Sequence, residues 1–395
     1  MNEERRTLNE EIKQYAEGLL PELIELSEAI YQHPELGNEE YNASRLHVEL
    51  LRKYGFDVEI PYLGVKTGFK ATYKAAKSGA TVAYLCEYDA LPGIGHGCGH
   101  NILGTTSTGA GIVLKKFVDT VGGTVIVFGT PAEETSGAKV LYADMGAFDG
   151  VDIALVAHPN SSYNRSGRSL AMDAIQFEYF GKTAHAAAAP EKGINALDAV
   201  INTFNNINAL RQQMQTDARI HGVIKDGGKA ANVIPEYAMA QFYVRAQTKS
   251  YLTELVKRVK ACAEGASMAA GTELKISNYE YSYDNLVSNQ ILSDTFMEEL
   301  EAVGVTDIEP ERDSFGSLDA GNVSHKCPTI HPYFDIVGNP EVVAHTREFA
   351  ESTLTDYAYK NMALVIRALS QTGMRVMFDE NLLKGIKDEF ASTTM

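Results

Sequence analysis

Three apolar segments, each followed by acidic residues or a histidine, constrain the fold of this 395-residue chain more than any other feature. TVAYLCEYD (81–89), GGTVIVFGTPAEE (122–134) and VDIALVAHP (151–159) are separated by stretches with helical periodicity. Nearly continuous apolar strands are typical of a sheet that is buried on both faces by helices. The sequence therefore predicts an α/β fold in which a mixed sheet is flanked by helices.

The pattern changes near residue 170. From there to residue 284 the periodicity predicts strand, helix, strand, strand, helix and strand, which is the ferredoxin-like order. We therefore expect a domain split between residues 1–169 and 285–395, with a compact domain of residues 170–284 inserted into it.

Two helix boundaries can also be predicted. Asn101 is a candidate N-cap for a helix that runs to about Val118. A last helix is expected from about Thr353 to Ser370.

Charge and composition exclude several classes of function. With 35 basic and 52 acidic residues, the net charge is −17, whereas binding to nucleic-acid phosphates needs a basic face. No apolar run approaches the roughly 20 residues of a membrane span, and the N-terminus lacks the apolar core of a signal peptide. The four cysteines form no CxxC pair, as expected for reduced thiols. We expect a cytoplasmic protein without nucleic-acid or membrane partners.

Side chains suited to catalysis follow the three predicted strands. In open α/β sheets, ligands bind beyond the carboxyl ends of the strands. The loop GIGHGCGHN (93–101) adds three candidate side chains, and its glycines allow it to fold closely around something small. The candidates at this edge are Glu87, Asp89, His96, Cys98, His100, Glu133, Glu134 and His158.

Cysteine, histidine and carboxylate together suit zinc or a similar first-row ion. Of the two adjacent glutamates, one can bind the metal while the other takes a proton from a water whose pKa the metal lowers to about 7. Each of these residues, taken alone, more often has a structural role than a role in metal binding. A glycine-rich loop can also bind phosphate instead of a metal ion. This loop, however, has neither the lysine and hydroxyl residue of a P-loop nor the GxGxxG pattern. The joint occurrence at three strand ends favours a metal site.

With these residues in place, the chain resembles the metal-dependent amidohydrolase, aminoacylase and carboxypeptidase-type peptidases. The resemblance spans residues 33–346, and EYDALPG with GHGCGHN is most similar to the p-aminobenzoyl-glutamate hydrolase branch. The matching stretches are HPELGNEE, EYDALPGIGHGCGHN, GTPAEE, AHP, GKTAHAAAAP, AANVIP and VAHT.

The resemblance implies a zinc-exopeptidase-like sheet and a centre of two divalent metal ions, zinc or manganese. Glu133 would be the general base, and Asp89 would orient a ligand. His96 matches a family position that is not usually a ligand. We expect His325 and His331 to be supporting residues, with His331 the better candidate for a substitute ligand. The implied metal ligands are Cys98, His100, Glu134, His158 and His345.

The resemblance also assigns roles to the inserted domain. It would form a homodimer and bring His185 to the partner's active site, where this histidine would stabilise an oxyanion. Asn232 and Arg245 would hold the carboxylate of the substrate. The stretch GSLDAGNVSH (316–325) departs from the serine-acid-acid-phenylalanine pattern of hippurate hydrolases, which argues against simple aromatic acyl amino acids as substrates.

The function expected from the sequence is hydrolysis of an amide or peptide bond next to a free carboxylate. The small-molecule substrate would be a dipeptide, an N-acyl amino acid or an aminobenzoyl-glutamate-like conjugate. Three alternatives stay open at this point: an aminopeptidase acting on longer peptides, a metal-stabilised binding protein without catalysis, and a redox sensor at Cys98. The last is disfavoured because no resolving cysteine lies nearby in the sequence.

Overall fold

The computed structural model describes residues 3–311 and 316–393. The helices are α1 (Glu3–Gln32), α2 (Tyr41–Lys53), α3 (His100–Val121), α4 (Ala138–Asp144), α5 (Ala196–Leu210), α6 (Lys249–Ala270), α7 (Gln290–Ala302), α8 (Ala320–Ser324), α9 (Arg347–Ser352), α10 (Asp356–Phe378) and α11 (Glu380–Thr393). The strands are β1 (Asp57–Glu59), β2 (Phe69–Lys74), β3 (Thr81–Cys86), β4 (Thr124–Gly129), β5 (Ile153–Leu155), β6 (His158–Asn160), β7 (Ala171–Phe180), β8 (Arg219–Asp226), β9 (Tyr237–Ala246), β10 (Glu273–Asn278), β11 (Thr329–Ile330) and β12 (Tyr333–Asp335).

The chain divides into two compact units. The larger unit comprises Met1–Arg168, Leu286–Ser314 and Asp319–Met395. The inserted unit comprises Ser169–Asn285 with Phe315–Leu318.

The larger unit is built on a six-stranded mixed sheet with the order β1-β2-β4-β3-β5-β11. The first three strands are antiparallel neighbours, whereas β4, β3, β5 and β11 run parallel. A separate parallel pair joins β6 to β12. The carboxyl ends of β4, β3 and β5 therefore lie side by side at one edge of the sheet.

Alternate residues of the parallel strands enter two different cores. Tyr84 belongs to a cluster with residues of α1, α3 and α10, whereas Leu85, its neighbour in β3, belongs to a cluster with residues of α4 and α8. Successive side chains of a strand point to opposite faces, so helices cover both faces. The α/β class predicted from the apolar strands is confirmed.

The inserted unit has a four-stranded antiparallel sheet with the order β10-β7-β9-β8. Its elements follow one another as strand, helix, strand, strand, helix, strand, so the predicted ferredoxin-like arrangement is confirmed. Helices α5 and α6 pack on one face of this sheet and share an apolar core with it. On β9, residues alternate between buried and partly exposed, which shows that the opposite face carries no helix of this unit.

The prediction that Asn101 caps α3 is wrong. The N-cap is Gly99 in a left-handed conformation, and Asn101 lies fully buried in the first turn. Its side-chain amide donates to the hydroxyls of Ser27 and Thr353, both at 3.1 Å. Asparagine is a common N-cap because its side chain accepts a backbone N–H, but here tertiary partners engage its amide group instead.

The last predicted helix ends too early. Helix α10 continues to Phe378 and is followed by α11. Gly373 lies inside α10, and a Cβ at this position would be 2.8 Å from both Leu114 Cδ2 and Tyr84 Oη. The glycine lets the helix approach the sheet closely and does not end it.

Among the described helices, none combines the length and apolarity that a membrane crossing needs.

Candidate metal centre and catalytic site

The candidate residues predicted at the strand ends meet at one edge of the larger sheet. Glu87 and Asp89 follow β3, and Glu133 and Glu134 follow β4 in the loop after Gly129. His158 begins β6, three residues after the end of β5. Because β4, β3 and β5 are parallel neighbours, their side chains converge in space although they are far apart in sequence.

The glycine loop 93–101 brings its cysteine and histidines to the same edge. Gly99 has φ 75°, a left-handed conformation that side chains disfavour. A Cβ on Gly99 would lie 2.9 Å from Cβ of Pro159, next to His158. Glycine at this position therefore allows both the turn into α3 and the close approach of this loop to β6.

Two groups of potential metal ligands share Cys98. One group is Cys98 with His100 and His158, and the other is Cys98 with Glu134 and His345. The Sγ atom of Cys98 lies 3.6 Å from Nε2 of His158 and 3.6 Å from Nε2 of His345. Nε2 of His345 is in turn 3.3 Å from Oε1 of Glu134. The five ligands implied by the resemblance therefore lie together, with the thiol in the middle.

The spacing of these atoms fits tetrahedral coordination. Zinc bonds of about 2.3 Å to sulfur and about 2.1 Å to nitrogen give a sulfur–nitrogen edge of about 3.6 Å, which is the observed separation in both groups. Nε2 of His100 is buried, forms no hydrogen bond to a described residue and lies 3.4 Å from Oε2 of Glu87. An unsatisfied buried acceptor of this kind is costly, so the donor set fits a pair of metal ions.

Hydrogen bonds at Nδ1 direct Nε2 of two histidines into the site. Nδ1 of His100 is 3.0 Å from both the backbone carbonyl oxygen and Oδ1 of Asp89, and Nδ1 of His158 is 2.7 Å from the carbonyl oxygen of Pro159. Each contact favours the proton on Nδ1 and leaves Nε2 as a ligand. Oδ2 of Asp89 also accepts from the backbone N–H of Glu134 at 3.0 Å, so Asp89 links two candidate ligands.

His345 is held by its backbone. It is a non-glycine residue with φ 68°, and its N–H donates to the carbonyl oxygen of Gly97 at 2.8 Å. Residues in this conformation cluster at functional sites. The bond ties the VAHT segment to the glycine loop, although the imidazole itself is 57% exposed.

Burial raises the pKa of the Cys98 thiol, and His100 opposes this only in part. Metals bind the thiolate, so a cation beside Cys98 would be needed to stabilise its charge. Both ligand groups could hold such a cation.

Glu133 lies beside the two ligand groups. It forms a third group of potential ligands with Glu87 and His100. Burial, together with the carboxylates of Glu87 and Glu134, raises the pKa of Glu133 well above its ordinary value. A carboxylate of raised basicity is suited to accepting a proton.

A buried lysine, Lys139, was missed in the sequence. Its Nζ lies 2.9 Å from Oε1 of Glu87 and 2.7 Å from Oδ1 of Asp319, and all three side chains are essentially inaccessible. Burial would raise the pKa of Glu87, but Lys139 and then His100 outweigh it and lower the pKa to about 2. Lys139 thus keeps Glu87 ionised beneath the site. Asp319 belongs to the stretch GSLDAGNVSH, which differs from the pattern of hippurate hydrolases. This difference was the one sign in the sequence that Asp319 has a special role.

The three remaining histidines of this region lie outside both ligand groups. His96 and His331 are buried, and burial lowers their pKa values to about 4 and about 3. The His331 ring packs against that of His158 with centroids 5.4 Å apart. His325 is partly buried at the end of α8.

The other predicted site residues lie in the inserted unit. His185 and Asn232 are exposed and occupy neighbouring loops, because the carbonyl of Asn232 accepts from the N–H of Ala186 at 3.0 Å. Nδ1 of His185 accepts backbone N–H groups of Ala187 and Ala188 at 3.3 and 3.2 Å. The neutral imidazole therefore carries its proton on Nε2, which is free to donate.

Arg245 lies on the helix-free face of β9, where it pairs across strands with Arg219 and Met172. It is partly buried, and its Nη1 donates to Oγ of Ser317 at 3.0 Å. Its guanidinium carbon is 5.5 Å from the centroid of the Tyr243 ring. These contacts hold the guanidinium in place. Among the described residues only Ser317 accepts a hydrogen bond from it, so other donors of its fork can bind an anion.

Comparison with known proteins agrees with this geometry. Residues 173–268 match the peptidase dimerisation domain of the M20 peptidases. The chain is 35% identical to a mouse Xaa-Arg dipeptidase over 92% of this chain and 88% of that protein. It is 26% identical to one component of the Escherichia coli p-aminobenzoyl-glutamate hydrolase over 94% of this chain and 92% of that protein.

The fold has a solved counterpart in the Bacillus subtilis YxeP protein, described as a dinuclear metal-binding peptidase of the M20 family. The TM-score is 0.67 at 18% identity, covering 91% of this chain and 99% of that one. Together with the dipeptidase relative, which extends over most of both chains, these similarities settle the family. The chain belongs to the M20 family of metal-dependent amidohydrolases and peptidases, and it is a hydrolase.

Proposed function

We propose that this hydrolase cleaves the amide bond of a dipeptide or N-acyl amino acid next to a free carboxylate, using two divalent metal ions, zinc or manganese. The observation that carries the proposal is the sharing of Cys98 by two ligand groups with Glu133 beside them. Such an arrangement suits a bridged pair of ions with an adjacent proton acceptor.

Cys98, His100 and His158 would hold one ion, and Cys98, Glu134 and His345 the other. Bound there, the ions would supply Lewis acidity and make a water molecule more acidic. Asp89 would keep His100 and the backbone of Glu134 in place through the hydrogen bonds described above.

Glu133 would be the general base. It accepts the proton of the attacking water as the oxygen–carbon bond forms, and it returns that proton to the leaving nitrogen as the carbon–nitrogen bond breaks. Its position beside the two ligand groups supports this assignment, because a general base must lie within reach of the water whose proton it takes.

His185 would stabilise the oxyanion of the tetrahedral intermediate. Its acceptor nitrogen is occupied by two backbone amides, so Nε2 presents a hydrogen-bond donor, which is what a developing oxyanion requires. The imidazole is exposed and thus available to a substrate.

Arg245, with Asn232, would bind the carboxylate of the substrate. Close by, the Tyr243 hydroxyl donates to both carboxylate oxygens of Glu280 at 2.8 Å. An acidic group beside the proposed carboxylate site favours a substrate whose C-terminal side chain is cationic. The Xaa-Arg dipeptidase relative points to the same class, so dipeptides ending in a basic residue are the first choice. Aminobenzoyl-glutamate is the second, since a relative is named as a hydrolase of this conjugate.

The inserted unit would form a homodimer. Its edge strand β8 is exposed along most of its length, and Val223 and Ile224 expose about half of their side-chain surface. Exposed apolar edge strands tend to pair with another strand. The match of this unit to a peptidase dimerisation domain supports a second copy of this chain as the partner.

One experiment tests the proposal. Metal content of the purified protein is measured, and hydrolysis is followed on Xaa-Arg dipeptides, their C-terminal amides, N-acyl amino acids, aminobenzoyl-glutamate and longer peptides. We expect about two metal ions per chain and cleavage that needs the free carboxylate, is lost on chelation and returns with zinc or manganese.

Cleavage unaffected by metal removal would contradict the metal mechanism. Preference for longer peptides with a free amino group, regardless of the carboxylate, would instead identify an aminopeptidase.

A further inference from the structure

The HPELGNEE segment (33–40) packs against the loop that carries Glu133 and Glu134. The side-chain amide of Asn38 donates to Oγ of Ser136 at 2.9 Å. A Cβ on Gly37 would lie 2.5 Å from Oγ1 of Thr135 and 3.0 Å from the Cα of Ala132, so the two loops are in close contact.

Ala132, the residue before Glu133, has an unusual backbone. Its φ is 63°, a left-handed conformation that L-residues other than glycine adopt rarely and at a cost. Such a conformation persists only where surrounding contacts enforce it. The direction of the chain entering Glu133 depends on this torsion angle.

Glu40 supplies one of the contacts that hold Ala132, whose carbonyl oxygen also accepts the N–H groups of Thr135 at 3.1 Å and Gly137 at 2.7 Å. Its side chain is fully buried, and Oε1 accepts the backbone N–H of Ala132 at 2.8 Å. The other oxygen, Oε2, accepts from the Thr67 hydroxyl at 2.9 Å. Both carboxylate oxygens are therefore engaged, and one of them accepts the backbone N–H of the strained residue.

A helix-capping role does not explain Glu40. The residue precedes α2, but its side chain makes no cap hydrogen bond. The first amides of that helix, of Asn42 and Ala43, donate to the carboxylate of Glu35 instead. Helix α2 thus has its own acidic cap, and Glu40 is directed away to the loop of Glu133.

We propose that Glu40 is a positioning residue for the general base: it holds Ala132 in the left-handed conformation and thereby orients the Glu133 carboxylate. This inference rests on the proposed role of Glu133. It predicts that Glu40 acts on the rate of the chemical step through the backbone, and that substrate affinity and metal binding depend little on it.

The test compares Glu40→Ala, Glu40→Gln, Ala132→Gly and the double variant Glu40→Ala with Ala132→Gly. Glu40→Ala should lower kcat about 10–100-fold, since misplacement of a catalytic group by about 1 Å has effects of this size. KM and metal content should stay unchanged. Glu40→Gln keeps an acceptor for the Ala132 N–H and should retain most of the activity.

The double variant is the decisive comparison. Glycine adopts positive φ without steric cost, so Ala132→Gly should restore most of the kcat lost by Glu40→Ala and should have little effect alone. Glu35→Ala is the matched control, because it removes an acidic side chain of the same segment that caps α2. It should lower the melting temperature and leave kcat unchanged.

If Glu40→Ala lowers the melting temperature but not kcat, as expected for Glu35→Ala, the proposal is wrong. It is also wrong if the double variant is no more active than Glu40→Ala. Should Glu40→Ala fail to fold, Glu40→Asp, which shortens the side chain, carries the same predictions. Glu133→Gln separates the two proposals. If Glu133→Gln is fully active, Glu133 is not the general base. If Glu133→Gln is inactive but Glu40→Ala has normal activity, only the positioning role of Glu40 is refuted.

Discussion

Most candidate residues of the larger unit are buried, whereas those of the inserted unit are exposed or partly exposed. In the larger unit, Cys98 and His100 are buried and surrounded by other polar groups of the same unit. In the inserted unit, His185 and Asn232 are exposed on loops. The first group brings potential ligand atoms together within one unit, whereas the second presents donors to solvent.

This difference reflects what each group must do. A metal site needs several donors held at short separations before the ion binds, and only a buried, hydrogen-bonded framework maintains that arrangement. Residues that recognise a substrate must be accessible to it. Loss of a residue in the larger unit should therefore affect metal content or proton transfer. Loss of a residue in the inserted unit should affect contacts to the substrate and its transition state, and should leave the metal content unchanged.

The largest effect is expected for Glu133→Gln. Removal of the proposed base should lower kcat about 10²–10⁴-fold, while the metal content stays at the wild-type level. Steady-state kinetics and elemental analysis on the same sample measure both quantities. Glu134→Gln is the matched control and should lose metal as well as activity. A wild-type kcat in Glu133→Gln would show that Glu133 is not the general base.

His185→Ala should lower kcat about 10²–10³-fold, the usual effect of removing one oxyanion donor, with unchanged metal content. Co-expression of His185→Ala with Glu133→Gln gives mixed dimers. If His185 serves the partner's site, one site in each mixed dimer is intact, and about one quarter of the wild-type activity should return.

No recovery from a confirmed mixed dimer would show that His185 does not act on the partner. A fall in metal content in His185→Ala would contradict the division of roles between the units.

Arg245→Lys should raise KM about 10-fold or more with a smaller change in kcat, because lysine cannot replace the bidentate contact of arginine to a carboxylate. C-terminally amidated dipeptides, which lack the group that Arg245 is proposed to bind, should be hydrolysed equally poorly by the wild type and by Arg245→Lys. Arg219, which pairs with Arg245 across strands, is the control, and Arg219→Lys should leave KM unchanged. An equal rise in KM for both variants would point to general electrostatics.

A smaller effect concerns stability, at a buried histidine of the larger unit. His47 is fully buried, with Nδ1 2.9 Å from Oγ1 of Thr108, and burial lowers its pKa from 6.5 to about 3. Between these values the unfolded chain binds a proton that the folded chain excludes, so stability falls as the pH decreases below 6.5. The loss from this group between pH 7 and pH 5 should be about 2 kcal/mol in the free energy of unfolding.

Urea denaturation at both pH values, on wild type and on His47→Gln, measures this loss. The variant should lack this part of the acid sensitivity. An equal loss in both proteins would mean that the interior of the larger unit accommodates the charged imidazole.

Much of the site could be anticipated from sequence because its signals are local. Residues such as Glu133 follow apolar strands directly, and parallel strands bring their carboxyl ends to one edge. The pattern thus placed Cys98, His100, Glu134 and His158 near one another, and the structure groups them. His345, about 250 residues away from Cys98, was accessible only through the family resemblance, since no local pattern links it to the loop 93–101.

The errors and omissions share a different cause. Asn101 has the chemistry of an N-cap, yet its amide is used by Ser27 and Thr353 from distant parts of the chain. Lys139 looks like an ordinary helix residue until Glu87 and Asp319 enclose its ammonium group. In each case the deciding partner is remote in sequence.

The sequence by itself determined the α/β class, the ferredoxin-like insertion and the positions of the strand-end candidates, because periodicity and residue type act over a few neighbouring residues. Only the tertiary structure decided which carboxylates are buried against a lysine, which histidine nitrogen faces the ligand group, and that Glu40 holds the backbone of Ala132. Burial and hydrogen-bond partners are properties of the folded chain, since they arise from segments that come together only after folding.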